Sequence, residues 1–206
     1  MEIQHMLSGP LDVNCYIVTS DGETMVIDPG GEPEKIYEII KEKKLNLKRI
    51  VLTHGHFDHI GGADKLRLMS GARIYIHKED APMLSDDTKN LSFLTGEPPK
   101  HFSPDAFLEE GDCFNIGSAK FTVYHTPGHS GGGICLYAEN VLFTGDLIFR
   151  GSIGRFDYGD FRTERASVNR MMHLFKDDVK ILPGHGEETT VGYEKMYNPY
   201  VSRLDC

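Results

Sequence analysis

No apolar run in this chain approaches the eighteen or so residues that span a bilayer, so a transmembrane helix is not expected. The N-terminal Met1-Glu2-Ile3-Gln4-His5 has no basic lead-in and no apolar stretch behind it. A secretory signal is therefore not expected either, and a cytoplasmic protein is the default. Positive charge is short. The 22 Lys and Arg against 31 Asp and Glu leave a formal net charge of −9, which argues against nucleic acid as a partner, because phosphate binding wants a basic face. Cysteine is sparse: Cys15, Cys113, Cys135 and Cys206 stand far apart with no C-x-x-C pair. That spacing gives neither a disulfide framework nor a thiolate zinc site. The first three are expected as reduced, buried small hydrophobes and Cys206 as an exposed tail residue. No internal repeat is visible. What remains is a chain of 206 residues, 39% hydrophobic and 26% charged, with the balance of a globular protein: a single domain over 1–206 with a full core of its own.

Short β-branched runs at 2–7, 14–19 and 24–27 read as strands separated by Gly9-Pro10 and Asp21-Gly22. Asp28-Pro29-Gly30-Gly31 is then a turn, and Pro33 opens a helix whose stripe is Ile36, Ile39 and Ile40, running to Lys44. A strand at 49–52, a helix at 60–69 stopped by Gly71, and a strand at 73–77 follow. Residues 86–105, with Gly96, Pro98-Pro99 and Pro104, read as an irregular connection at the rim of a site. The pattern then restarts with strands at 121–125, 133–137 and 141–144, a helix at 162–175 and a strand at 180–182. Two such halves can stack sheet on sheet with helices outside, an α/β four-layer αββα sandwich.

The chemistry concentrates after Ile50-Val51-Leu52, where Thr53-His54-Gly55-His56-Phe57-Asp58-His59 places three imidazoles and a carboxylate in one turn. Imidazole and carboxylate together suit zinc, iron or manganese. Three later segments share the design of an apolar strand ending in a glycine-containing turn with a ligand-type residue. They are Val123-Tyr124-His125-Thr126-Pro127-Gly128-His129, Val141-Leu142-Phe143-Thr144-Gly145-Asp146 and Ile181-Leu182-Pro183-Gly184-His185. Jointly they bring the candidate metal ligands to His54, His56, Asp58, His59, His129, Asp146 and His185. That set is large enough for two divalent ions sharing a carboxylate. Spacing alone does not divide the residues between the ions.

The His-x-His-x-Asp-His turn, followed in order by a lone His, an Asp and a late His, resembles the metallo-β-lactamase-fold hydrolases over nearly the whole chain. Thr126-Pro127-Gly128-His129-Ser130, Thr144-Gly145-Asp146 and Pro183-Gly184-His185-Gly186 are similar to its glyoxalase II (hydroxyacylglutathione hydrolase) branch. Gly151-Ser152-Ile153-Gly154-Arg155 and the stretch from Thr189 to Pro199 resemble the short, single-domain bacterial members. The resemblance implies one ion on His54, His56 and His129, a second on Asp58, His59 and His185, and Asp146 bridging. Zinc is the expected metal, with iron or manganese fitting the same donors. Asp28 matches an earlier motif and is expected to orient a ligand from behind, or simply to form an Asx turn before Pro29.

The implied activity is hydrolysis of a small-molecule acyl thioester, glutathione-type or of another thiol carrier, by a hydroxide between the ions, with Asp58 orienting it. No general acid stands out, which fits a thiolate leaving group. The 21 residues after His185 are too few for the helical glutathione-binding domain of the two-domain enzymes. Where those typically carry Lys and Tyr, this chain has Arg155 and Asp157. Arg155 is the candidate substrate contact, binding a carboxylate or carbonyl of the carrier, or else forms a structural ion pair; Tyr158 is expected to pack. The rival within the fold is a mononuclear-iron persulfide dioxygenase on His54, His129 and Asp146. The rival from another class is a non-catalytic metal-binding protein, which would be expected to lack a ligand, and none is missing.

Overall fold

In the computed structural model the first half runs β1 (Glu2–Ser8), β2 (Val13–Ser20), β3 (Glu23–Ile27), α1 (Pro33–Glu42) and β4 (Asn46–Val51). It continues with the single turn α2 (Phe57–Ile60), then α3 (Ala63–Ser70), β5 (Arg73–Ile76) and β6 (Ala106–Phe107). The second half holds β7 (Cys113–Ile116), β8 (Ala119–His125), β9 (Ile134–Ala138), β10 (Val141–Gly145) and the short pair β11 (Ile148–Phe149) and β12 (Ser152–Ile153). It ends with α4 (Phe161–Leu174), β13 (Lys180–Pro183), β14 (Thr189–Thr190) and α5 (Val191–Tyr197). The structure describes residues 1–95, 101–156 and 159–201. Gly96, Pro98, Pro99, Asp157, Tyr158 and Cys206, each invoked above, lie outside the described residues.

The six strands of the first half form one sheet in the order β1-β2-β3-β4-β5-β6, and β14-β13-β10-β9-β8-β7 form the second. Strand alternation sorts side chains into layers. In β2, Tyr16 and Val18 enter the core between the sheets, while Cys15 and Ile17 turn toward Ile36, Ile40 and Leu66 of α1 and α3. In β10, Phe143 faces the other sheet and Leu142 faces Val168, Met171 and Met172 of α4. Two sheets with helices on both outer faces make the expected αββα sandwich. Cys15 and Cys135 are fully buried, as expected, and burial pushes the Cys135 thiol up to about 12. Cys113 departs from the expectation by standing exposed on an edge strand.

Strand direction positions the site. β3, β4, β5 and β6 run parallel, as do β10 and β13, while β8, antiparallel to β9, runs with β10. The turns after β4, β8, β10 and β13 therefore leave from the C-terminal ends of strands running the same way within each sheet.

One element differs from expectation in a way that matters. The helix anticipated over 60–69 is broken at Gly61-Gly62 into α2 and α3. A Cβ on Gly61 would lie 2.4 Å from the Gly30 carbonyl oxygen, and one on Gly62 would lie 2.8 Å from that of Pro29. The Gly62 N–H donates to Pro29 O at 2.8 Å. Close backbone approach, not helical periodicity, sets this stretch, and it holds the Asp58- and His59-bearing turn against the end of β3.

Candidate metal centre

α2 begins one residue after His56, so Asp58 and His59 are held in a helical turn directly behind the extended His54-Gly55-His56 segment. All seven sequence candidates come together. His54, His56 and His129 form one group whose ligand atoms lie within 4.8 Å of one another; Asp58, His59 and His185 form a second, and His54, His59 and Asp146 a third. Asp146 joins them. Its Oδ1 lies 3.2 Å from His59 Nε2, and its Oδ2 lies 3.6 Å from His129 Nε2 and 3.5 Å from His185 Nε2. Asp58 Oδ2 faces His185 Nε2 at 3.2 Å and His59 Nε2 at 3.7 Å.

Outer hydrogen bonds aim the rings. Asp28 sits at the end of β3 with φ 50°. Its Oδ2 accepts from His59 Nδ1 at 2.9 Å and from Thr53 Oγ1 at 2.6 Å, and its Oδ1 accepts from Thr53 N at 2.7 Å. Because the Thr53 hydroxyl proton is committed to Asp28, its oxygen accepts from His54 Nδ1 at 3.1 Å. Asp28 thus presents Nε2 of both His59 and His54 to the centre, which is how ligand tautomers are fixed. The backbone carbonyl of Arg155 does the same for His129, accepting from Nδ1 at 2.7 Å. Of the two readings of Asp28, the contacts are those of an orienting residue.

The electrostatics match a cation site. Burial, reinforced by the surrounding imidazoles, lowers His54 well below the ordinary histidine value and brings His56 to about 3, so both are neutral donors. Burial alone would raise Asp146 and Asp58, yet His59 and its neighbours hold both below the usual carboxylate range. Burial opposes charge on His59 and His185 too, but the carboxylates push both up; a bound cation would displace those protons. His54 Nε2 is buried with no hydrogen-bond partner, a costly arrangement unless something binds there. Buried neutral imidazoles, ionised carboxylates and an orphaned nitrogen aimed inward fit a pair of divalent ions.

Two contributors gave no sequence signal. Asp80, 1% exposed, accepts from Gly55 N at 3.0 Å through Oδ2 and from Gly132 N at 2.6 Å through Oδ1. It ties the His54–His56 segment to the loop after His129. Asp80→Ala would strand two buried N–H donors, at a cost of about 3 kcal/mol. The expected drop in thermal midpoint is roughly 6–12 °C for a chain of this size. A melt within 2 °C or so of wild type would refute the brace. The second is Glu164 on α4, fully buried behind the centre, where burial and then Asp146 push its carboxyl up to about 8.

A cleft of about 860 Å³ opens in front of the centre, lined by His56, Asp58, His129, Asp146 and His185 together with Arg155. Arg155 is thereby placed beside the candidate ligands. Leu91, Ser92 and Leu94 also line it, so part of the irregular 86–105 connection forms the rim, as expected.

The model of the metallo-beta-lactamase superfamily matches residues 8–185. Hydroxyacylglutathione hydrolase GloC of Haemophilus influenzae is 37% identical over 196 residues, covering 92% of each chain. The crystal structure of BLEG-1 B3 metallo-beta-lactamase superposes with a TM-score of 0.91 at 36% identity, covering 98% of this chain and 100% of that one. That of TTHA1623 in a di-iron-bound form gives a TM-score of 0.87 at 36% identity over 96% of this chain and 100% of the other.

Proposed function

The chain belongs to the metallo-beta-lactamase superfamily, and from that premise we propose a metal-dependent hydrolase that cleaves acyl thioesters at a two-metal centre. One observation carries the reading: Asp146 Oδ2 stands between His129 Nε2 at 3.6 Å and His185 Nε2 at 3.5 Å, linking two complete ligand triads. His54, His56 and His129 would hold one ion, and Asp58, His59 and His185 the other, with Asp146 shared. Zinc, iron and manganese all accept such donors, and the di-iron form of TTHA1623 supports iron beside zinc. Bound there, two divalent ions supply a Lewis acid for the substrate carbonyl and a water acidic enough to attack near neutral pH.

The chain's own residues do the rest. Asp28, directly and through Thr53, keeps His59 and His54 in the donor tautomer. Asp58 faces the cleft with its carboxylate held ionised, so it can orient the attacking water and take its proton. The new C–O bond forms, the C–S bond breaks, and the proton passes to the leaving thiolate. That thiolate is a weak base, so no strong acid is needed on its side. Arg155 lines the cleft where a carboxylate of the thiol carrier can meet it. The GloC similarity favours glutathione as one carrier.

A second reading, β-lactam hydrolysis, is favoured by the similarity to BLEG-1. It expels an amine, a far stronger base than a thiolate, and so depends much more heavily on delivery of the proton that Asp58 takes from the water.

The test is metal quantification on purified protein, with assays of S-lactoylglutathione and other acyl thioesters, a cephalosporin, and oxygen uptake with a persulfide. Two equivalents of metal and thioester turnover are expected. Chelation should remove about 4 kcal/mol of stability for each occupied site if metal stands a thousandfold above its Kd, on the order of 10 °C in the melt per site. Oxygen consumption with a single iron, or cephalosporin turnover exceeding that of thioesters, would overturn the reading.

A further inference from the structure

The cleft is far larger than a water-activating centre requires, and its wall is chemically lopsided. Four separate segments give it large apolar side chains. Leu11 comes from the β1–β2 turn, Phe57 and Ile60 from α2, Leu91 and Leu94 from the stretch before residue 95, and Phe149 from β11. Leu11 and Leu94 remain 54% and 60% exposed. Exposed leucines are unremarkable singly, but several apolar residues converging on one mouth mark a binding surface. Arg155, from the segment between β12 and α4, is the one Lys or Arg among the described residues lining the cleft. A doubly carboxylated carrier would find one cation there and much greasy wall.

A thioester carbonyl bears two substituents, the acyl chain and the thiol carrier. The Arg155 segment, whose backbone already touches His129, suits the polar carrier. The apolar wall is left for the acyl group. We propose, resting on the thioester reading above, that this wall selects substrates by an apolar acyl chain, so that thioesters of medium-length unbranched acids are turned over better than short hydroxyacyl ones. A lactoyl group carries a hydroxyl and one methyl beyond its carbonyl, and would cover little of this surface. A six-carbon chain would cover Phe57, Leu91 and Leu94, which are partly or largely exposed, and displace water from them. Each buried methylene then contributes to transition-state binding in the usual apolar proportion.

The experiment uses metal-loaded protein and one thiol bearing acetyl, butyryl, hexanoyl and octanoyl groups, with lactoyl as comparison. kcat/KM should rise about threefold per methylene up to hexanoyl, roughly two orders of magnitude above acetyl. The slope should at least halve in Leu94→Asp and in Leu11→Asp, substitutions at exposed positions that leave the core intact. Turnover that is flat across the series, or highest for lactoyl, would overturn the apolar-acyl assignment while leaving the hydrolase standing. A steep series unchanged in both variants would place the chain elsewhere and overturn it as well. No hydrolysis of any thioester would remove both the assignment and the reading beneath it.

Discussion

Asp58→Asn is expected to lower kcat on an acyl thioester by about 10³-fold or more while KM moves only a few-fold. The substitution keeps shape and removes charge. In the folded protein the Asp58 carboxylate is buried, and it faces the rings of His185 at 3.2 Å and His59 at 3.7 Å. Those contacts are to other candidate ligands, so the scaffold does not hang on this side chain. The backbone is positioned separately, by the close approach of Gly30 to the Asp58 carbonyl. The melt should therefore stay within a few degrees of wild type in the metal-free protein, while bound metal falls from two equivalents toward one. The result also separates the readings. A mononuclear centre on His54, His129 and Asp146 would not need Asp58, and near wild-type turnover in Asp58→Asn would sink the two-metal hydrolase.

Legibility in the sequence followed from how local each signal was. His54, His56, Asp58 and His59 could be read because a single turn carries them. His129, Asp146 and His185 could be read because each follows an apolar strand and a glycine, a pattern that recurs. Asp28 was half-legible: its position before Pro29 suggested a turn and its motif match an orienting role, and the tertiary contacts with Thr53 and His59 favour the second. Asp80 gave no such signal. It lies in an ordinary polar run after β5, and its partners, Gly55 and Gly132, are distant in sequence. Glu164 sits among Arg162, Thr163 and Arg165 and reads as the solvated start of a helix, yet it is 0% exposed. Burial of a lone acid has no periodicity to betray it.

Regular structure behaved likewise. The outer layers were visible through the Ile36–Ile40 stripe and the buried strands. The consecutive glycines at 61 and 62 were a readable break, overridden by the apolar spacing of Ile60, Ala63 and Leu66. β7 alternates as Cys113-Phe114-Asn115-Ile116 before Gly117 and pairs with β8 as a hairpin. The short β6, β11, β12 and β14 carry too few residues to show a period at all, and α5 contains Gly192, which weakens any helical reading.

Gly184→Ala is the second large effect, and it tests the closeness of the two strand ends that carry Asp146 and His185. Gly184 is not a case of special backbone freedom; the constraint is space. Its N–H donates to Gly145 O at 2.8 Å, pulling the end of β13 against the end of β10. A Cβ there would fall 2.2 Å from Asp146 Oδ1 and 2.7 Å from His59 Cε1, inside any permitted contact. Neither neighbour has room to yield. Asp146 is fixed between His59, His129 and His185, and His59 is buried and tied to Asp28. The methyl must therefore push Asp146 out of the position it shares between the two triads. Loss of both bound metals and at least a 10³-fold fall in kcat/KM are expected, since in the proposed centre Asp146 would serve both ions. Gly186→Ala supplies the control, because a Cβ at Gly186 meets nothing within 4 Å, although its φ of 76° adds backbone strain. If Gly184→Ala retained two metals and wild-type activity, Asp146 could not be the shared ligand. If Gly186→Ala lost metal as completely, the effect would belong to the flexibility of the His185 loop and not to the missing space.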